Sequence, residues 1–192
     1  MKTGHRMLRG FVGLSFFLLA IALAPGPSWA DFAMFVKVEG IPGESTDVNH
    51  KDWIDAFGYE ESITLPERTA IFGGGAGRTD FSPIKLFKYV DKASPKLLRA
   101  AVMGQHIPKV VIEVVTKGEV QQLIWRIELT NVFLSEMTTK ALPDKLGAIT
   151  TLNELVAFSY ERIRWTYFSY DLKGAPLPPV IADWDLLRNR EF

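Results

Sequence analysis

The feature that most limits the fold of this chain is an alternation of period two. In Gln122 to Thr130, QLIWRIELT, residues Leu123, Trp125, Ile127 and Leu129 fall on one side of an extended chain. Gln122, Arg126, Glu128 and Thr130 fall on the other, with Ile124 the exception. Successive side chains of a strand point to opposite faces, so this pattern buries one face and wets the other. Tyr160 to Phe168 repeats it, setting Ile163, Trp165 and Tyr167 against Arg162, Arg164 and Thr166. Val110 to Val115 is apolar on both faces apart from Glu113 and is expected to be covered on both sides. Phe32 to Val38 reads as a first strand. Ile41-Pro42-Gly43-Glu44 after it fits a type II turn with Pro and Gly at its centre.

One helix interrupts the strands. Ser94 is a suitable N-cap, Pro95 suits the first helical position, and Gly104 can end the helix. Leu97, Leu98, Ala101 and Val102 form its apolar stripe, which leaves Lys96 and Arg99 for solvent. Ala70 to Ser82, with the only Gly-rich run, and Thr138 to Thr151 read as loops. The tail after Lys173 is proline-rich and ends with Trp184 and Leu186-Leu187. Many short strands and one helix at about 94–104 predict a mainly β fold, a compact two-sheet barrel or sandwich.

Residues 1–30 carry a different pattern. Lys2, Arg6 and Arg9 precede the uncharged run FVGLSFFLLAIALA; Pro25, Gly26 and Pro27 follow, and small residues stand at 28 and 30. Basic, apolar and small-residue regions in that order describe a secretory signal peptide cleaved after Ala30. Fourteen apolar residues are short of the roughly 20 that span a bilayer, which argues against a retained anchor. The remaining 162 residues hold 19 basic and 22 acidic side chains, a net charge of −3. The expected location is the periplasm or the medium, in one domain over 31–192 without stable membrane insertion. No basic excess suggests nucleic acid as a partner. The chain has no cysteine, which excludes disulfides and thiol chemistry.

The chain gives little support to catalysis. A P-loop needs Lys and then Ser or Thr after its last Gly, but Gly77 is followed by Arg78-Thr79. His50 lies between Asp47 and Asp52 without the second histidine of a strong zinc motif, and His106 reads as a surface or capping residue past the helix. Carboxylates are many but unpaired by any motif, and no G-x-S-x-G elbow occurs. No catalytic residue, cofactor or metal is expected. Trp125 and Trp165 lie on regular apolar faces and read as core. An exported monomeric barrel holding a small apolar or glycan ligand against them is the alternative.

Several segments together carry a resemblance. FVKVEGIPGES, then HKDWID, GRTDFSPIKLFKYVDKASPKLL, GQHIPKVVIEV and LVAFSYERIRWTY resemble the Hcp family, the haemolysin-coregulated tube subunits of type VI secretion. The likeness runs from about Phe35 to Trp184-Asp185, and FKYVDKASP before a short helix is its most specific part. It implies a two-sheet barrel with a flanking helix and no active site. It also implies homo-hexameric rings that stack into a secreted tube sheltering small effectors. Sheath, spike and effector proteins are the further partners it implies. Family members have no cleavable signal, so the leader is a departure. A second departure is Tyr59-Glu60-Glu61, where the family has an aromatic–Ser–aromatic run on a strand linked to the channel wall. These three are the candidate channel or ring-contact positions. Glu67, Arg68 and Arg78 fall in the implied ring-stacking loop.

Overall fold

A computed structural model describes residues 31–65, 78–118, 120–143 and 148–192. The leader 1–30 and the glycine run 73–77 lie outside the described residues. Among the described residues nine strands and one helix follow in order. They are β1 (Phe32–Val38), β2 (Ile54–Glu60), β3 (Ile63–Thr64), β4 (Asp80–Phe81), β5 (Ile84–Tyr89), α1 (Ser94–Met103), β6 (Ile107–Thr116), β7 (Leu123–Pro143), β8 (Ile149–Tyr167) and β9 (Val180–Asp185). The main sheet has the order β5-β2-β1-β6-β7-β8-β9, and β5 also pairs with β8. That pairing closes six antiparallel strands into a barrel, as the strand content predicts. Among the described residues no helix is long and apolar enough to cross a membrane.

Ile127, Leu129 and Ile163 are inward as the alternation marks, whereas at the end of the second alternating segment Tyr167 is exposed and Thr166 buried. Val36, Ile54, Ile84, Leu86, Val110, Ile112, Ile127, Leu129, Phe158 and Ile163 are all fully buried. Each large aliphatic among them stabilises the fold by about 1.5–3 kcal/mol relative to an exposed position. The inward face does not stay on odd residues along β7. It passes from Ile127 and Leu129 to Val132 and Leu134 across Asn131, whose φ of 55° lies in the left-handed region. Asn131 Nδ2 donates to Glu161 Oε2 at 2.6 Å, and β8 changes face at the same level, from Phe158 and Tyr160 to Ile163. The two long strands thus turn a corner together.

Several local expectations need correction. The turn after β1 lies three residues earlier: Ile41 N–H donates to Val38 O at 3.0 Å, and Gly40, φ 81°, occupies the position a type II turn reserves for glycine. Gly43 is used for close approach instead, because a Cβ there would stand 2.2 Å from Trp53 O. Ser94 is the first helical residue, and the N-cap position is Ala93 with no side-chain cap. The Ser94 hydroxyl is drawn into a buried polar cluster described below. Gly104 does end the helix, in the left-handed conformation expected of it. Of the stripe, Leu97 is buried and Ala101 packs on the core, while Leu98 and Val102 are exposed and Ala100 is buried in their place.

Thr138 to Pro143 and Ile149 to Thr151 are strand rather than loop, because β7 and β8 stay paired almost to their shared end. Near the other end, Thr166 is buried between Arg126 of β7 and Ile181 of β9, whereas Tyr167, the last residue of β8, is exposed. The proline-rich tail returns as β9, which pairs with residues 162–167 of β8. Asp80 and Phe81, within the predicted loop 70–82, pair with β3.

Candidate functional site

The three candidate contact positions on β2 separate in space. The β2–β5 register slips at Phe57, so Ala56 and Tyr59 both face inward although they are three residues apart. Tyr59 packs against the core, and burial together with the nearby Glu61 carboxylate pushes its phenol up. Glu60 points outward, opposite Lys85 in the ladder, with 3.3 Å between its Oε1 and Lys85 Nζ. Glu61, just past β2, accepts a 2.7 Å hydrogen bond from Trp165 Nε1. Burial pushes its carboxyl up, and the Trp165 bond only partly offsets this. Tyr160 is also held above the ordinary phenol value by burial and by Glu61.

Of the three loop positions, Glu67 and Arg68 lie outside the described residues. Arg78 Nη2 donates to Leu186 O at 2.6 Å, which ties the start of β4 to the segment after β9. With Thr79, Asp80, Phe81 and Asn189 they line a groove of 310 Å³.

Two buried polar clusters escape the sequence reading. In the first, Lys88 Nζ donates to Glu154 Oε2 at 2.7 Å, to Ser94 Oγ at 3.0 Å and to Tyr89 O at 2.7 Å, and lies 2.8 Å from Asp91 Oδ1. Ser94 Oγ donates to Glu154 Oε2 at 2.6 Å. Ser94 and Lys88 form a dyad in distance, but both are buried, so the cluster fastens α1 to β5 and β8 rather than offering a nucleophile. In the second, His50 lies between Asp47 and Glu113 with its ring stacked on Phe35, centroids 4.1 Å apart. His106 is exposed, with Nε2 at 3.2 Å from Asn131 Oδ1. Among the described residues no group of three or more His, Cys, Asp or Glu is arranged to hold a metal ion. Trp125 and Trp165 pack against the core, as their strand faces predict.

The outer face of β2 and β5 carries exposed aromatic side chains beside Glu60 and Lys85. Phe57 is 54% exposed and Tyr89 56% exposed, with ring centroids 4.8 Å apart. Phe57 and Phe87, with Thr138, Lys140 and Leu155, line a shallow groove of 230 Å³ beside them. Phe57 shares the outward side of β2 with Asp55, as a period of two from Ile54 requires, and the slip after Ala56 is what turns Tyr59 inward.

The described residues thus form a closed six-stranded barrel with one flanking helix, a buried polar anchor for that helix and an aromatic outer face. Residues 35–167 match the family model described as "Type VI secretion system effector, Hcp", and the chain belongs to that family. It is 28% identical over 161 residues to Protein hcp1 of Pseudomonas aeruginosa, covering 81% of this chain and 96% of that one. It is 26% identical over 129 residues to the Major exported protein of the same organism, covering 65% and 74%. A solved type six secretion system protein superposes with a TM-score of 0.74 at 26% identity, over 84% of this chain and all of the other.

Proposed function

We propose that this chain is a structural subunit of type VI secretion whose copies close head to tail into hexameric rings, and whose rings stack into a secreted tube. The observation that carries the reading is the aromatic outer face of Phe57, Phe87 and Tyr89. A closed barrel has no reason of its own to expose two large aromatic rings in contact, and exposed apolar patches mark interaction surfaces. A second feature supports it: β9 is an end strand of the main sheet, with Val180 and Ile181 exposed. End strands offer unpaired backbone groups that assembly can cover. Two unlike patches on one subunit suit a heterologous contact, which makes a ring when the rotation closes.

Tyr59, Glu60 and Glu61 divide their roles in this reading. Glu60 and its partner Lys85 belong to the outward surface, where charge stays solvated and screened. Tyr59 and Glu61 brace the barrel end. Glu67, Arg68 and Arg78 belong to the loop that meets the next ring. Sheath, spike and small effector proteins are the partners of the assembled tube, and the subunit itself carries out no catalysis. The leader 1–30 supports export to the periplasm or medium.

Light scattering after size exclusion, on the chain without residues 1–30 and across a concentration series, tests the reading. A mass of six subunits is expected. A monomer at every concentration would overturn it and favour the single-barrel ligand binder.

A further inference from the structure

The segment between β1 and β2 folds back over the outer face of β1 and β6, and His50 is its anchor. His50 is 4% exposed. Its Nδ1 lies 2.7 Å from Asp47 Oδ1 and its Nε2 lies 2.8 Å from Glu113 Oε2. A carboxylate oxygen only accepts, so each contact needs an N–H from the ring. A neutral imidazole has one N–H, and an imidazolium has two. We propose that His50 is held as an imidazolium bridging Asp47 and Glu113, and that the β1–β2 segment is a clasp that opens when this proton is lost.

The charges around the ring close on that state. Asp47 comes from the segment itself and Glu113 from β6. Arg126 of β7 donates through Nε to Glu113 Oε1 at 2.7 Å. Gln121 Nε2, which is neutral, donates to Asp47 Oδ2 at 2.6 Å. Phe35 of β1 stacks on the ring, and Trp53 meets it edge-on at 4.9 Å with Lys37 Nζ above the indole. Two carboxylates, one guanidinium and one imidazolium sum to zero. Loss of the ring proton leaves a net negative charge and turns a nitrogen lone pair toward a carboxylate oxygen. Unpaired charge of this kind is costly in a buried site. Burial pushes the Asp47 carboxyl up, but hydrogen bonds from His50, Gln121 and the Asn49 N–H outweigh it and hold the group below its ordinary value. Opening would also free the contacts this segment makes at the start of α1, Asp52 Oδ1 to Lys92 Nζ at 3.2 Å and Glu44 Oε2 to the Lys92 N–H at 3.3 Å.

The test is nitrogen-15 NMR of the purified protein labelled at histidine, combined with amide exchange. Near neutral pH, both His50 ring nitrogens are expected to show protonated shifts. A singly protonated ring with the segment closed would overturn the proposal without any variant. Over the pH range in which an open ring has lost its proton and the closed ring still holds it, protection of amides 43–53 relative to amides 110–115 is expected to fall by up to about tenfold per pH unit and then to level off, because one proton is linked to opening. Glu113→Gln supplies a side-chain amide that can donate to a neutral ring nitrogen and accept from Arg126. That variant is expected to keep the segment closed with no such slope. If it retains the wild-type slope, His50 is not the operating group.

Discussion

Lys88 Nζ lies 2.7 Å from Glu154 Oε2 at a point where neither side chain meets solvent. The β5–β8 ladder sets the two residues directly opposite each other, so the pairing that closes the barrel also builds the ion pair. Thr139 Oγ1 of β7 donates to the other Glu154 oxygen at 3.3 Å, and Asp91 and Ser94 join from the start of α1. The cluster is where barrel closure and helix docking meet.

Lys88→Met removes the cation and leaves buried carboxylates without a partner. Breaking a buried pair from one side costs about 3–5 kcal/mol, or about 6–20 °C in Tm for a domain of this size. Thermal unfolding followed by circular dichroism measures it. A loss no larger than that of a surface lysine such as Lys96→Met would show that the cluster does not hold the fold.

Phe57→Asp with Tyr89→Asp places two charges on the outer aromatic face. Both residues are more than half exposed, so the monomer should lose no more than about 1 kcal/mol. The proposed six-subunit assembly is expected to collapse toward one subunit with an unchanged circular dichroism spectrum. A variant that still assembles would move the contact elsewhere on the barrel.

Gly43→Ala drives a methyl group into the backbone of Trp53, where its Cβ would lie 2.2 Å from the carbonyl oxygen. The expected cost is about 1–3 kcal/mol or more, since backbone yields less readily than a side chain. Thr46→Ala, exposed on the same segment, should change stability by less than about 0.5 kcal/mol. Equal midpoints for the two in urea would contradict the close approach.

Glu61→Gln keeps an acceptor for Trp165 Nε1 and removes the charge. The folded chain holds the Glu61 proton to higher pH than the unfolded chain does, because burial pushes its carboxyl up. Stability therefore falls as pH rises from the unfolded value through the folded one, and the loss is complete above the folded value. The variant is expected to be the more stable protein at neutral pH, with the gap closing in acid where wild-type Glu61 is protonated. Paired melting curves at the two pH values check the sign. A less stable variant at neutral pH would mean that the charge itself is held favourably.

Strand existence was legible because alternation survives wherever one face is wet. Phe32–Val38 is read to the residue, and Ile127, Leu129 and Ile163 are inward as their spacing requires. What failed was local and has physical causes. Ser94 has the chemistry of a cap, but a buried lysine and glutamate compete for its hydroxyl. Pro42-Gly43 has the composition of a turn, but Gly40 one strand-end earlier already supplies the positive φ. The inward turn of Tyr59 was invisible because it depends on a one-residue slip between Ala56 and Gly58, and slips leave no mark in a periodic pattern. Lys88 was hidden for the opposite reason: it alternates correctly as an inward residue, and a lysine there reads as an error until Glu154 and Asp91 are seen beside it. The family likeness reached what periodicity could not, through FKYVDKASP, whose Lys88, Asp91 and Ser94 turn out to be members of one buried cluster.

A six-stranded barrel is narrower than the eight-stranded kind whose interior is just filled by its own side chains. Val36, Ile112, Ile127 and Phe158 accordingly occupy the axis here, and a single polypeptide of this family member is solid. Hollowness would therefore be a collective property. The bore of an assembled tube, its width and its charge would be written on the outside of the subunit, in residues such as Glu60 and Lys85. Substitution along the barrel axis would alter how firmly each brick holds, while substitution on its outer walls would alter what the finished pipe admits.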